Sequence, residues 1–278
     1  MNKACNMNPT ERTLQVLEYI MAAGPGPVKQ VDIARECGVS PSTLNRIVKS
    51  LSDWGYLFRT SEKYCVRNFR LERNVPMSES YLAKLDNIMR ELSDKLGVSA
   101  EVVVVAGHEL LWHSKTEHPD PDVVIRANVG FRRSLYEFDA LAQLFLSRIS
   151  FEEIQAQFYM DGFFETLRHT GQQTQWVDAK PLEARLAKMR SEVFAADIEG
   201  NHMGIRRFAT VVEDPFGKFL HLLTIAEPAN EISNKKALVS RYRKALLSAR
   251  EELSELVSKE HSARRPRPKH HVMPQRGG

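Results

Sequence analysis

The chain reads as an α+β protein in two parts: a winged helix-turn-helix, then a larger domain of helices and antiparallel strands. Three observations predict this. Residues 28–53, VKQVDIARECGVSPSTLNRIVKSLSD, have the pattern of two short helices about a tight turn. Directly after them, two short apolar and aromatic runs flank a polar turn, the pattern of a hairpin. From residue 79 onward helical periodicity and strand runs come in blocks, without the regular alternation of a parallel α/β sheet.

The elements of the first part follow in order. Asn8 with Glu11 three residues on forms a capping box, and Leu14, Leu17, Ile20 and Met21 make the apolar stripe of a first helix. Gly24-Pro25-Gly26-Pro27 ends it. Val31, Ile33 and Ala34 give the second helix its apolar face. Gly38 supplies the positive φ that reverses the chain. Ser40 caps the third helix and Pro41 occupies its first turn, where a missing N–H costs nothing. Leu44, Ile47, Val48 and Leu51 then repeat at i, i+3, i+4, i+7. The opposite face carries Ser42, Thr43, Asn45, Arg46 and Lys49, short hydrogen-bonding groups followed by cations. That set suits a DNA major groove, in which Asn pairs with adenine and Arg with guanine or phosphate. An ordinary helical hairpin with a solvated face is the alternative. The hairpin that follows favours DNA: Tyr56–Arg59 and Lys63–Val66 read as strands about Thr60-Ser61-Glu62, a wing whose tip bears Arg59 and Lys63. The module spans residues 8–71.

Composition bounds the rest. The 278 residues leave room for two domains, and hydrophobic and charged contents of 42% and 27% are ordinary for a globular chain. The longest aliphatic run, Val102–Ala106, is too short for a membrane span, and the N-terminus lacks the apolar core of a secretory signal. Cys5, Cys37 and Cys65 are odd in number and widely spaced, which predicts no disulfide framework and a cytoplasmic setting. The formal charge of +4 is uneven. Residues 1–75 carry 11 basic against 7 acidic side chains, and residues 261–278 carry 5 basic and no acidic ones. The middle is mildly acidic, so phosphate contact belongs to the ends. So few cations in one module predict two copies acting together on a roughly palindromic site.

The second part starts after a polar linker, residues 72–80. A helix is expected over 79–97, stopped by Gly97. Val102–Ala106 and Leu110–Lys115 read as a hairpin and Val123–Ala127 as a third strand. Phe138–Arg148 reads as helical. Ser150 and Glu153 open another helix by a capping box, and Trp176–Arg190, capped at Asp178, reads as a further one. Glu192–Asp197, Arg206–Glu213 and Lys218–Ala226 read as strands, the last two joined at Asp214–Gly217. A long helix is expected over 232–259. Residues 260–278, basic and Pro-rich, read as a disordered tail.

Two stretches together make a specific resemblance. Ser40-Pro41-Ser42-Thr43-Leu44-Asn45-Arg46 is one. The other is Gly204-Ile205-Arg206-Arg207-Phe208-Ala209, then Asp214 and Gly217, then Thr224-Ile225-Ala226-Glu227-Pro228. Over residues 10–258 the chain resembles IclR-type transcriptional regulators. The resemblance implies a GAF/profilin-like effector-binding and oligomerisation domain over 81–259 and pairing into dimers or tetramers. It further implies a pocket in which Asp197 is the acidic position, Ala140 and Leu141 present backbone amides to a ligand carboxylate, and Thr224 offers a hydroxyl. The chain departs from the family pattern at several points. Arg207 stands where a small residue such as cysteine is common, and Ala226 where a second hydroxyl is. Ala142-Gln143 replaces Gly-Lys, and Phe138 and Asp139 replace smaller residues.

The expected function is therefore a sequence-specific DNA-binding regulator whose second domain takes a small organic acid. Arg206 and Arg207 are adjacent on a strand and point to opposite faces. Arg207 is expected inward, as a charged anchor for the ligand carboxylate. If it pairs with Asp197 instead, the cavity is closed and the protein does not sense. An enzyme fused to a DNA-binding module is the remaining alternative, but Asp197, Glu199, His202 and Arg207 form no recognised acid–base pair. His108, His113 and His118 lack acidic or cysteine partners at metal-ligand spacing. No nucleotide or cofactor motif is present, so no cofactor or metal is expected.

Overall fold

The computed structural model describes residues 7–23, 27–67, 78–167, 173–201 and 203–264. The chain divides into two compact units, residues 1–72 with 260–278 and residues 73–259.

In the first unit, α1 (Pro9–Ala22) opens with the Asn8/Glu11 capping box. A two-residue strand, β1 (Val28–Lys29), leads into α2 (Gln30–Glu36). Gly38 turns the chain at φ 61° into α3 (Pro41–Asp53), which the Ser40 hydroxyl caps by accepting from the Thr43 amide. The wing is β2 (Leu57–Arg59) and β3 (Tyr64–Arg67), with β1 adding on the far side of β3 to make an antiparallel sheet in the order β1-β3-β2. β1 has no sequence signature of its own; register with Tyr64 and Cys65 creates it. The core comprises Val16, Ile20, Ile33, Leu44, Val48, Leu57 and Cys65. Two expected core positions are exposed: Leu14 and Val31. The buried α1 position is Val16, and Cys37 fills the space at the end of α2. Burial pushes the Cys37 thiol up to about 11, which keeps it a packing group.

The second unit opens with α4 (Glu79–Leu96), ended by Gly97 at φ 71°. Next come β4 (Ser99–Ala106), β5 (Glu109–Lys115), β6 (Arg132–Ser134), α5 (Ala140–Leu146), α6 (Phe151–Gln157), β7 (Phe164–Leu167), β8 (Gln173–Trp176), α7 (Ala179–Met189), β9 (Phe194–Asp197), β10 (Ile205–Glu213), β11 (Phe219–Pro228) and α8 (Lys235–Arg264). Six strands form one antiparallel sheet, in the order β6-β5-β4-β11-β10-β9, and β7 and β8 form a separate two-stranded sheet. One sheet face packs on α4 and α8 through Leu85, Ile88, Val102, Phe208, Ile225 and Leu246. The other faces the shorter helices through Val103, Trp112, Leu141, Leu182, Ala209 and Leu222.

Three expectations for this unit need correction. Val123–Ala127 is not a strand: it runs as a loop, and the Lys115 ammonium donates to the Ile125 carbonyl. The third strand on that side is the polar β6, an edge strand, where polar side chains discourage further pairing. Trp176 belongs to β8, and Asp178 precedes α7 without a side-chain cap. At the C-terminus α8 continues to Arg264, five residues into the stretch read as tail; residues 265–278 lie outside the described residues, as does Cys5.

Candidate DNA interface and ligand site

On α3 the side chains of Ser42, Asn45, Arg46 and Lys49 are exposed and Thr43 is half-buried. The alternation follows from the helical period: Leu44, Ile47, Val48 and Leu51 take the core side. Ser40 Oγ also donates to Thr43 Oγ1 at 2.9 Å, so the first turn is held in one conformation. Arg59 does more than sit on the wing. Its Nη2 donates to Asn45 Oδ1 at 3.0 Å and ties the wing to the recognition helix. The Asn45 side-chain oxygen thus accepts one bond from Arg59 and keeps a second lone pair, with its Nδ2 donors, for a contact to adenine. Lys63 closes the wing turn at φ 60°, a conformation a lysine rarely adopts. Its carbonyl accepts from the Gln30 amide, which holds the tip against the start of α2.

In the second unit the register sets the site. Glu101, Thr224, Ala209 and Ala195 lie abreast on β4, β11, β10 and β9; Ser99, Ala226, Arg207 and Asp197 form the next row. Opposed residues of adjacent strands share a face, so these rows lie together on the side of the shorter helices. Arg207 Nε donates to Glu101 Oε2 at 3.0 Å and Nη2 to Oε1 at 3.4 Å, while Thr224 Oγ1 donates to the same Oε2 at 3.1 Å. Glu101 is fully buried and Arg207 nearly so. The partner of Arg207 is therefore neither Asp197 nor solvent but a carboxylate 106 residues away. Arg206 does point to the opposite face, yet it too is buried. It binds Glu227, the Ile198 carbonyl and the Asn230 carbonyl at 2.8, 2.5 and 2.7 Å. Opposite faces therefore do not mean that one of the pair meets solvent: Tyr242 of α8 donates to the same Glu227 on the Arg206 side.

A second guanidinium, Arg133 on β6, lies beside Arg207: both rest about 5.5 Å from the centre of the buried Trp112 ring. Arg133 Nη2 is 2.5 Å from Asp139 Oδ2, without the alignment of a hydrogen bond, and its Nε is 3.7 Å from Glu137. Burial works against its charge, but Asp139 and Glu137 outweigh that and raise its pKa. Asp139 also caps α5, its Oδ1 accepting from the Leu141 and Ala142 amides at 3.0 Å. The Leu141 amide that the resemblance assigns to a ligand is thus occupied by a side chain.

Two cavities open on this face. One, of about 490 Å³, is lined by Ala140, Asp139, Asp197, Glu165, Arg185 and neighbours; the other, of about 710 Å³, by Arg126, Arg133, Arg207, Val124, Phe131 and Met203 among others. Glu137 and Asn201 line both. The expected ligand residues are thereby divided. Ala140 and Asp197 line the smaller chamber, Arg207 lines the larger, and Leu141 and Thr224 line neither. Desolvation and the neighbouring Asp139 push the Asp197 carboxyl up to about 6. Sequence reasoning missed Glu101, Glu137 and Arg133. The available signal for Glu101 was a lone acid directly ahead of an aliphatic strand run. Among the described residues no group of three or more His, Cys, Asp or Glu is placed to hold a metal ion, and no helix is long and apolar enough to cross a membrane.

Comparison with known proteins matches residues 79–255 to the family model described as "Bacterial transcriptional regulator IclR C-terminal", and residues 6–63 to that of the MarR family. The HTH-type transcriptional regulator XynR of Escherichia coli is 25% identical over 86% of this chain and 92% of its own. The transcriptional repressor IclR of the same organism is 21% identical over 87% of each chain. Among solved structures, Thermotoga maritima IclR aligns with a TM-score of 0.51 at 18% identity, over 91% of this chain and 99% of its own. An IclR-type regulator from Alicyclobacillus acidocaldarius aligns with a TM-score of 0.52 at 16% identity, over 91% of this chain and all of its own.

Proposed function

This chain belongs to the IclR family of DNA-binding bacterial transcriptional regulators, and on that premise we propose that its second unit binds a small organic acid whose presence alters operator binding. The observation that carries this reading is the larger chamber. It has a floor of Arg133 and Arg207, Arg126 at its edge, and an apolar rim of Val124, Phe131, Met203 and Ile205. Guanidinium groups recognise carboxylates by paired hydrogen bonds, and the rim suits a hydrocarbon or aromatic body. Two copies act on a roughly palindromic operator as a dimer or tetramer. Each contributes Asn45 and Arg46 to base edges or adjacent phosphate, with Ser42 and Thr43 beside them. Lys49, Arg59 and Lys63 contact the backbone.

A second reading has its own support. Arg207 is already paired with Glu101 and the Leu141 amide with Asp139, as a closed, unresponsive sensor would have them. Calorimetry of the full chain against mono- and dicarboxylates, aromatic acids included, separates the two. Saturable binding by any member favours the sensor, and none at millimolar concentration favours the closed form. On the DNA side, Arg46→Ala weakens operator binding by about 1–3 kcal/mol, while Lys63→Ala weakens all sequences alike and lowers the salt slope by roughly one.

A further inference from the structure

The charges around the two chambers do not balance, and the imbalance has a location. Three carboxylates have a guanidinium of their own: Glu101 with Arg207, Asp139 with Arg133 and Glu165 with Arg185. Asp197 has none. It makes no ion pair among the described residues, and it faces the smaller chamber beside Asp139. Across the shared wall, the Arg133 side chain is nine-tenths buried, and its Nε and Nη2 find no aligned hydrogen-bond acceptor. One chamber thus holds a carboxylate with no ion-pair partner, and the other a guanidinium whose charge Asp139 and Glu137 balance but whose Nε and Nη2 have no aligned acceptor.

A plain carboxylate satisfies only the second need and leaves Asp197, in the chamber lined by Glu137, Asp139, Glu165 and one guanidinium, Arg185, without a cation. We propose that the ligand of this site is a zwitterion, an amine-bearing carboxylic acid that offers its carboxylate to Arg133 and Arg126 and its ammonium to Asp197. The proposal rests on the organic-acid reading above and extends it. Glu137 and Asn201 line both chambers, so one molecule passing them reaches both. Phe131 and Ile205 give its middle an apolar wall. An ammonium beside Asp197 would also offset the burial and the Asp139 repulsion that hold this carboxyl near 6. The ammonium then meets a carboxylate that has no ion pair, and the carboxylate meets guanidinium donors that have no aligned acceptor, so neither end is buried unmatched.

The test is calorimetry of the full chain at pH 7.5 with three matched series: unbranched ω-amino acids of four to eight carbons, the acids of the same lengths and the corresponding amines. Benzoate and 4-(aminomethyl)benzoate extend it to aromatic bodies. The expected result is that at the best length the amino acid binds about tenfold tighter than the acid. Asp197→Asn abolishes that advantage and leaves the affinity for the acid within about twofold. Asp197→Ser serves as the second variant should the amide fail to fold. Acids that bind as tightly as their amino acids at every length overturn the zwitterion but leave the organic-acid reading standing. Amines that bind as tightly as the amino acids overturn it in favour of a purely cationic ligand. If neither acids nor amino acids bind, the organic-acid reading falls as well.

Discussion

Arg206 and Arg207 are neighbours on one strand and equally buried, but the two faces of the sheet use them differently. Arg206 meets one carboxylate and two backbone carbonyls under α8, and Tyr242 completes the cluster. Its donors are spread over several acceptors and it lines neither of the two chambers. Arg207 depends on a single carboxylate, Glu101, and lines a cavity that also bears Arg133, a guanidinium with unmet donors. One face surrounds its arginine with several acceptors; the other holds its arginines in pairs, and there the Arg133 Nε and Nη2 donors and the Asp197 carboxylate are unmet. Burial alone therefore does not distinguish a structural arginine from one at a binding site. The distribution of acceptors does.

The largest expected effect follows from that contrast. Glu101→Gln leaves the Arg207 charge buried with no anion, and should cost about 3–5 kcal/mol of unfolding free energy in urea. Glu227→Gln on the other face should cost only about 1–2 kcal/mol, because Arg206 keeps its two carbonyls. Equal losses would break the comparison.

The pH dependence should also differ in sign between the faces. Asp197 has a folded pKa raised to about 6. The folded state therefore holds the proton longer than the unfolded chain, and stability falls as pH rises from about 4 to 6. Burial and Asp139 drive this shift, and the Gly200 amide, Arg133 and Arg207 oppose it; Glu137, Glu165 and Arg185 line the same chamber. Asp197→Asn should remove that slope and stabilise the protein by about 1–2 kcal/mol at pH 7.5, after a discount for partial exposure. His221 on the α4 side is buried against the Tyr81 hydroxyl at 2.6 Å, and burial lowers its pKa to about 4. Its contribution is present above about 6.5 and is lost as pH falls towards 4. His221→Gln should therefore flatten the acid limb. Unfolding curves from pH 4 to 8 on both variants check the two slopes. The smallest effect lies in the other unit: Ser40→Ala removes the α3 cap and should cost about 1 kcal/mol, with no change in either pH slope.

Legibility in the sequence followed the range of the interactions. The helix-turn-helix is local: Ser40, Pro41, Gly38 and the Leu44–Leu51 stripe each act within one turn, and the boundaries of α3 follow from them. Leu14 and Val31 misled because only part of each apolar stripe meets the core. β1 and β6 are strands only because a neighbour pairs with them. Val123–Ala127 has strand composition but no partner. The site was least legible. Glu101 meets Arg207 across 106 residues, and sequence spacing carries no trace of that pairing. Asp197 and Arg207 are register partners, so their nearness could be expected, but nearness did not make them an ion pair. The departure at Asp139 was visible as an unusual residue; its consequence, a carboxylate seated on the α5 amides, required the helix start to be placed.

The central claim is that the cavity face of the sheet, with Arg133 on its floor, couples a small carboxylate to DNA binding. Operator affinity of the full chain, measured by fluorescence anisotropy with and without a saturating concentration of the tightest-binding acid or amino acid, tests it most directly. The account predicts a change of about fivefold or more in apparent Kd for the natural protein, abolished by Arg133→Gln with the ligand-free affinity retained. A ligand that saturates the protein yet leaves operator affinity unchanged would contradict it.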